Sequence, residues 1–276
     1  MKSITQRIIT ATVALPLLLL VILFLPQANY LAFCLVVLIV DLIGTYEMRA
    51  MVDKDRSNGL MPSFLCATVP VSTYIECAFF PQVNLTLYTF ICLISIGFAI
   101  EAFTGGKDNF AGSRTRLEIF ALEAIYPNLF ATFLIRMAFL PDARYWILLF
   151  LAFVFGSDTF AYLFGMWLGK NNRGIIKVSP NKSIAGFIFG LLLPALFGLL
   201  IACCAEGLGM EWYHGLILGF MTSLAGTCGD LIESAFKRSA QIKDSGKAIP
   251  GRGGVLDSID SILIAAPVFI LLLHIF

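Results

Sequence analysis

Residues 229–260, GDLIESAFKRSAQIKDSGKAIPGRGGVLDSID, gather acids, cations and glycines in a chain that elsewhere avoids charge. If the first part is helical, Asp230, Glu233, Ser234 and Lys237 fall at i, i+3, i+4 and i+7, on one face, and Glu233 and Lys237 form an i,i+4 pair. Asp257 and Asp260 stand three apart at the start of the last apolar run, where a helix N-terminus favours carboxylates. Two helix ends can thus aim carboxylates at a common point. Between them come Lys243, Asp244, Lys247 and Arg252, with Gly251, Gly253 and Gly254 allowing a close approach of backbone to ligand. Carboxylates suit a hard divalent cation such as Mg2+, and the basic residues suit phosphates that the metal would bridge. A salt-bridged juxtamembrane loop accounts for one acid–base pair but poorly for the whole convergence.

Two upstream stretches could contribute. In KVSPNKSIAGF, Ser179, Pro180 and Asn181 read as a turn, with Lys182 and Ser183 at a helix start whose amides can bind a phosphate. Turn plus anchor explains this stretch equally well. In GSDTFAYLFGMWLGK, Asp158 lies within an apolar run, where a carboxylate needs a partner or a wet cavity. A structural pairing with a hydroxyl or Lys is as good a reading.

Other chemistries find little support. There is no G-x-x-x-x-G-K-[ST] phosphate loop and no visible serine-hydrolase triad. The seven Cys lie mostly in apolar runs without C-x-x-C spacing and read as packing residues, and His214 and His274 lack metal-ligand spacing. A net charge of +1 gives no electrostatic case for nucleic acid.

The elements that must position these residues are membrane helices. The chain is 59% hydrophobic and 13% charged, with mean hydropathy +0.88, against about a quarter charged in soluble domains. Apolar runs at 8–26, 30–47, 60–80, 85–104, 118–140, 144–168, 184–205, 212–232 and 256–276 predict an all-α integral membrane protein of about nine transmembrane helices. The first run contains Pro16, lacks a convincing cleavage site and is read as a retained helix, not a signal peptide. Of 19 Lys and Arg, all but Arg136 and Arg144 fall before the first span or in loops after even-numbered ones. The positive-inside rule then makes the N-terminus and those loops cytoplasmic, with the active site at the cytoplasmic membrane face. Residues 1–140 form about five N-terminal helices, and 141–276 a C-terminal catalytic region carrying the motifs.

The stretch SAFKRSAQIKDSGKAIPGRGGVLDSID, 234–260, closely resembles the C-terminal signature of the phosphatidate cytidylyltransferases, or CDP-diacylglycerol synthases: S-x-x-K-R, K-D-x-G, P-G-H-G-G and D-R-x-D in order. SDTFAYLFG, SPNKS and GDLIES resemble the family's upstream motifs. The likeness is close over the C-terminal half and general in character over the N-terminal half. It implies a nucleotidyltransferase of phospholipid biosynthesis, joining CTP and phosphatidate into CDP-diacylglycerol and pyrophosphate in the inner (cytoplasmic) membrane. It implies Mg2+ at Asp230 and Asp257 with Asp260 nearby. Lys237, Arg238, Lys243, Asp244 and Asp260 become the catalytic set, and Ser179, Asn181, Lys182, Asp158, Arg252, Gly253 and Gly254 the substrate contacts. The partners are CTP, phosphatidate and the bilayer, with a homodimer compatible and no nucleic acid. Arg252 stands where the family has His, Ser258 where it has Arg, and Ala185 where it has Glu. The first two departures suggest a compensated swap that moves one cation across the site. The competing readings are another CTP-dependent lipid-phosphate transferase or lipid kinase, and a secondary transporter with Asp158 and Asp257 as ion-coupling sites.

Overall fold

In hydrocarbon a backbone amide has no water to bond, so long apolar runs close their hydrogen bonds within themselves. The computed structural model follows that rule. It describes residues 2–53, 62–170, 172–174, 176–204, 210–251 and 253–276, with side chains from residue 12 onward. The helices are α1 (Lys2–Phe24), α2 (Gln27–Val52), α3 (Thr68–Phe79), α4 (Leu85–Thr104), α5 (Ser113–Glu123), α6 (Phe130–Met137), α7 (Ala143–Trp167), α8 (Ile184–Cys204), α9 (Trp212–Ser239) and α10 (Leu256–Ile275). No strand occurs among the described residues, only isolated bridges at Arg173–Ser183 and Ile249–Gly253.

Seven helices among the described residues are long and apolar enough to cross a membrane, and two shorter apolar ones, Thr12–Phe24 and Ser63–Phe79, accompany them. The span read at 118–140 is Ser113–Met137, interrupted at Ala124–Leu129, where Tyr126 leaves helical geometry before Pro127. The span read at 212–232 continues to Ser239, nearly two turns farther, and so carries Lys237 and Arg238 on the helix.

The chain forms two compact units. The first comprises Met1–Arg144 and Ala240–Ser258, so the charged loop belongs with the N-terminal helices. Its core includes Cys66, Val69, Leu93, Phe120 and Ala124. Buried or half-buried ion pairs tie its helices together: Arg49–Glu123 at 3.5 Å, Arg116–Glu101 at 2.7 Å and Arg136–Glu76 at 2.7 Å.

The second unit comprises Tyr145–Ser239 and Ile259–Phe276. Phe150, Phe153 and Phe269 fill its centre, with ring centroids 5.3 and 6.4 Å from Phe269. Small residues let its helices meet backbone to backbone. A Cβ on Gly215 would come 2.2 Å from the Gly198 carbonyl oxygen, and one on Gly219 would come 2.4 Å from that of Pro194. Across α9 and α10, a Cβ on Gly229 would come 2.5 Å from the Asp260 carbonyl oxygen. That last contact sets the site, because it brings the residue before Asp230 against the residue that carries a second carboxylate.

Candidate active site

In the second unit, Asp230 and Glu233 project from α9 and Asp260 from α10. One carboxylate oxygen of each lies within 4.8 Å of the others. Glu233 is fully buried and Asp260 is 6% exposed. Lys237, one turn beyond Glu233, forms an ion pair with it. Asp260 Oδ1 accepts the Ser261 amide at 2.6 Å, which fixes its rotamer. Three hard oxygen donors held this close, two of them out of water, fit a Mg2+-like cation and suit a soft metal poorly.

Asp230 also faces a cavity of about 380 Å³, lined among others by Asp158, Tyr162, Arg173, Asn181 and Lys182. Lys182 forms an ion pair with Asp230 across it. The loop that presents Lys182 is built by local bonds. The Lys182 amide donates to the Ser179 carbonyl at 3.1 Å, and Arg173 bridges to Ser183. Ser183 then caps α8, its Oγ accepting the Gly186 amide at 3.1 Å. Two amides at the α8 start are therefore already bonded: Gly186 to this cap, and Ile184 to the Asn172 carbonyl at 3.1 Å. The Lys182 ammonium is the more accessible phosphate partner there. Gly169 leaves room for the cap, since a Cβ at that position would sit 2.3 Å from Ser183 Oγ.

In the first unit, the loop before α10 folds around two carboxylates. Asp257 Oδ2 accepts the Gly254 amide at 2.7 Å and the Ser245 amide at 2.9 Å, with Ser245 Oγ at 3.0 Å. Glu47, near the end of α2, accepts the Leu256 amide at 2.8 Å and has Ser245 Oγ at 3.2 Å. Gly253 has φ +114, and a Cβ there would meet Asp257 Oδ2 at 2.5 Å; one on Gly254 would meet Ser245 Oγ at 2.1 Å. The need for glycine at both positions is thus set by the chain's own carboxylates and hydroxyl. Lys243 and Asp244 are exposed on this loop. Arg252 lies outside the described residues.

The residues named from sequence therefore fall into two sets. Asp158, Asn181, Lys182 and Asp230 share one cavity, Asp230 and Asp260 share the carboxylate group, and Lys237 reaches that group through Glu233. Ser179 forms the turn that presents Lys182, and Arg238 is exposed at the end of α9. Asp257, Lys243, Asp244, Gly253 and Gly254 belong to the first unit. Sequence reasoning placed Glu233 on the acidic face and paired it with Lys237 but left it out of the metal set, counted Arg173 only among the loop cations, and gave Glu47 no role. The available signal for Glu47 was its position at the very end of the apolar run 30–47.

A sequence model of the Cytidylyltransferase family matches residues 5–276. A phosphatidate cytidylyltransferase of Staphylococcus epidermidis is 40% identical over 130 residues, which is 47% of this chain and 49% of that protein. The enzyme of the same name from Staphylococcus saprophyticus is 37% identical over 132 residues, 48% of this chain and 50% of its own. That from Staphylococcus aureus is 40% identical over 134 residues, 48% and 50% of the two chains. The chain spans about half the length of these curated relatives.

Proposed function

We propose that this chain, which belongs to the cytidylyltransferase family, is a phosphatidate cytidylyltransferase that converts CTP and phosphatidate to CDP-diacylglycerol and pyrophosphate. The observation that carries the reading is the carboxylate group of Asp230, Glu233 and Asp260, joined through the Asp230–Lys182 ion pair to a largely apolar cavity that also presents Asp158, Arg173 and Asn181. Acids that hold a divalent cation and cations that meet phosphates then stand side by side.

A phosphate oxygen of the lipid attacks the α-phosphorus of CTP in line; the new P–O bond forms as the bond to the β-phosphate oxygen breaks and pyrophosphate leaves. A phosphate monoester is largely ionised at neutral pH, so no strong general base is needed. The difficulty is bringing two polyanions together. Bound Mg2+ supplies charge neutralisation between the phosphates. Asp230 and Asp260 are its proposed ligands, with Glu233 held beside them by Lys237. Asp257 stays in the proposal as a metal-binding carboxylate on the strength of the signature it shares with the family. Lys182 exchanges its carboxylate partner for a phosphate, and Lys237, Arg238 and Lys243 supply further positive charge. Asp158, Ser179 and Asn181 are assigned to the nucleotide, with Arg252, Gly253 and Gly254, while Asp244 completes the charged loop.

We place the protein in the inner, cytoplasmic membrane, with the charged loops facing the cytoplasm where CTP is found; a homodimer is compatible with this reading. The test is purified protein in detergent given labelled CTP, phosphatidate and Mg2+, with an EDTA control. Metal-dependent release of pyrophosphate together with CDP-lipid supports it. Release of CDP with a phosphorylated lipid would indicate a lipid kinase. No turnover of any lipid phosphate, with ion flux in liposomes, would overturn it in favour of a transporter.

A further inference from the structure

Glu47 brings a charged side chain from outside the loop into the network of Ser245 and Asp257. It reaches that loop across about two hundred residues of sequence: 198 to Ser245 and 209 to Leu256. It is 6% exposed. The loop wraps both edges of its carboxylate, since a Cβ on Gly246 would lie 2.2 Å from Oε1 and one on Gly254 would lie 2.3 Å from Oε2. Oε2 accepts the amide of Leu256, the first residue of α10, so a side chain from α2 satisfies an amide at that helix start.

The same residues that touch Glu47 also hold Asp257. The donors on Asp257 Oδ2 come from Ser245 and Gly254. Ser245 Oγ stands 3.2 Å from Glu47 and Gly254 packs against it. A serine hydroxyl has one proton and can serve only one of two carboxylates at a time, so the Ser245 and Gly254 amides do the steady orienting of Asp257. Those amides point correctly only while the turn is closed, and Glu47 closes it.

We propose that Glu47 is a positioning residue for Asp257, acting through the Ser245–Gly254 turn; this rests on the cytidylyltransferase reading above. The negative charge matters as well as the shape, because an anion at a helix N-terminus accepts a stronger bond than a neutral amide oxygen. Partners that orient an essential carboxylate typically cost about 10–100-fold in activity when removed.

The experiment compares wild type, Glu47→Gln and Glu47→Ala in detergent, by hydrogen–deuterium exchange in EDTA and by steady-state kinetics with Mg2+, CTP and phosphatidate. In EDTA, peptides covering 243–258 exchange about tenfold faster or more in Glu47→Ala, while peptides from α4 and α8 keep their protection. With substrates, kcat falls about 10–100-fold in Glu47→Ala with KM for phosphatidate little changed, and Glu47→Gln lies between the two. A wild-type kcat in Glu47→Ala, or unaltered exchange over 243–258, overturns the proposal. If Glu47→Ala loses protection throughout, Glu47→Gln decides: a reduced kcat in a folded protein supports positioning, and a wild-type kcat overturns it. If wild type itself turns over no CTP with any lipid phosphate, the enzymatic reading fails, and the exchange contrast still reports whether Glu47 closes the turn.

Discussion

Asp230 has three neighbours of mixed character, a cation in Lys182 and two acids in Glu233 and Asp260. Its ion pair with Lys182 is about one-third exposed on each side, so it contributes little stability, on the order of 1 kcal/mol or less. Asp230→Asn should therefore leave the melting temperature within a few degrees of wild type, while metal-dependent turnover falls about 100-fold or more. Initial rates against Mg2+ concentration, with thermal melts on the same samples, check both halves. A normal rate would remove Asp230 from the metal. The Glu233–Lys237 pair behaves differently, because the Glu233 side chain is fully buried and that of Lys237 is 15% exposed. Lys237→Met removes the cation from a buried acid and should cost about 3–5 kcal/mol, whereas Glu233→Gln combined with Lys237→Met should recover much of it. Denaturant or thermal unfolding of the two singles and the double measures the coupling. Costs that simply add would show that the two side chains do not support one another.

At the scale of elements, the site depends on how closely α8, α9 and α10 approach. Gly198 and Gly215 meet backbone to backbone, so Gly215→Val must push α8 and α9 apart, at a cost of about 1–3 kcal/mol or more. Because α9 carries Asp230 and Glu233, the variant should lose activity as well as stability, read by melting temperature and kcat together. Unchanged values for both would mean that the approach is looser than the contact implies. These helices were largely legible beforehand. Uniform apolar runs admit only helices in lipid, and α4 lies where its run of residues predicts. The continuation of α9 to Ser239 was legible in the i, i+3, i+4, i+7 spacing from Asp230 to Lys237. The interruption at Ala124–Leu129 was not, because a long apolar helix can tolerate a proline such as Pro127 without breaking. The union of the 240–258 loop with the N-terminal helices was also hidden. It is written in two long-range bonds, from Ser245 and Leu256 to Glu47, and an acid near the end of a span looks the same as an anchor. Local spacing reveals a helical face; it carries no information about which distant backbone will wrap a carboxylate.

For the whole molecule, the open quantity is how many times the chain crosses the bilayer, and one helix decides it. Ser63–Phe79 is a shorter apolar helix, about 25 Å long at 1.5 Å per residue, against a hydrocarbon core of about 30 Å. Taken alone it would be a doubtful span. The charges around it argue that it crosses. If it turned back, the segment at Gln82 would share a side with Arg49 and the long α4 would carry Lys107, Arg114 and Arg116 to the opposite face, against the positive-inside rule. A crossing keeps those cations with Arg49, and with Lys177 and Lys247 after the later spans. In a background where the seven native Cys are replaced, Gln82→Cys and Asp142→Cys should react with a membrane-impermeant maleimide in intact cells. Lys107→Cys, Lys177→Cys and Lys247→Cys should react only after permeabilisation. All five positions are exposed side chains, so a lack of labelling reports sidedness and not burial. Labelling of Lys107→Cys in intact cells, with Gln82→Cys protected, would show that Ser63–Phe79 does not cross. It would also place the α4–α5 loop on the far side from the nucleotide.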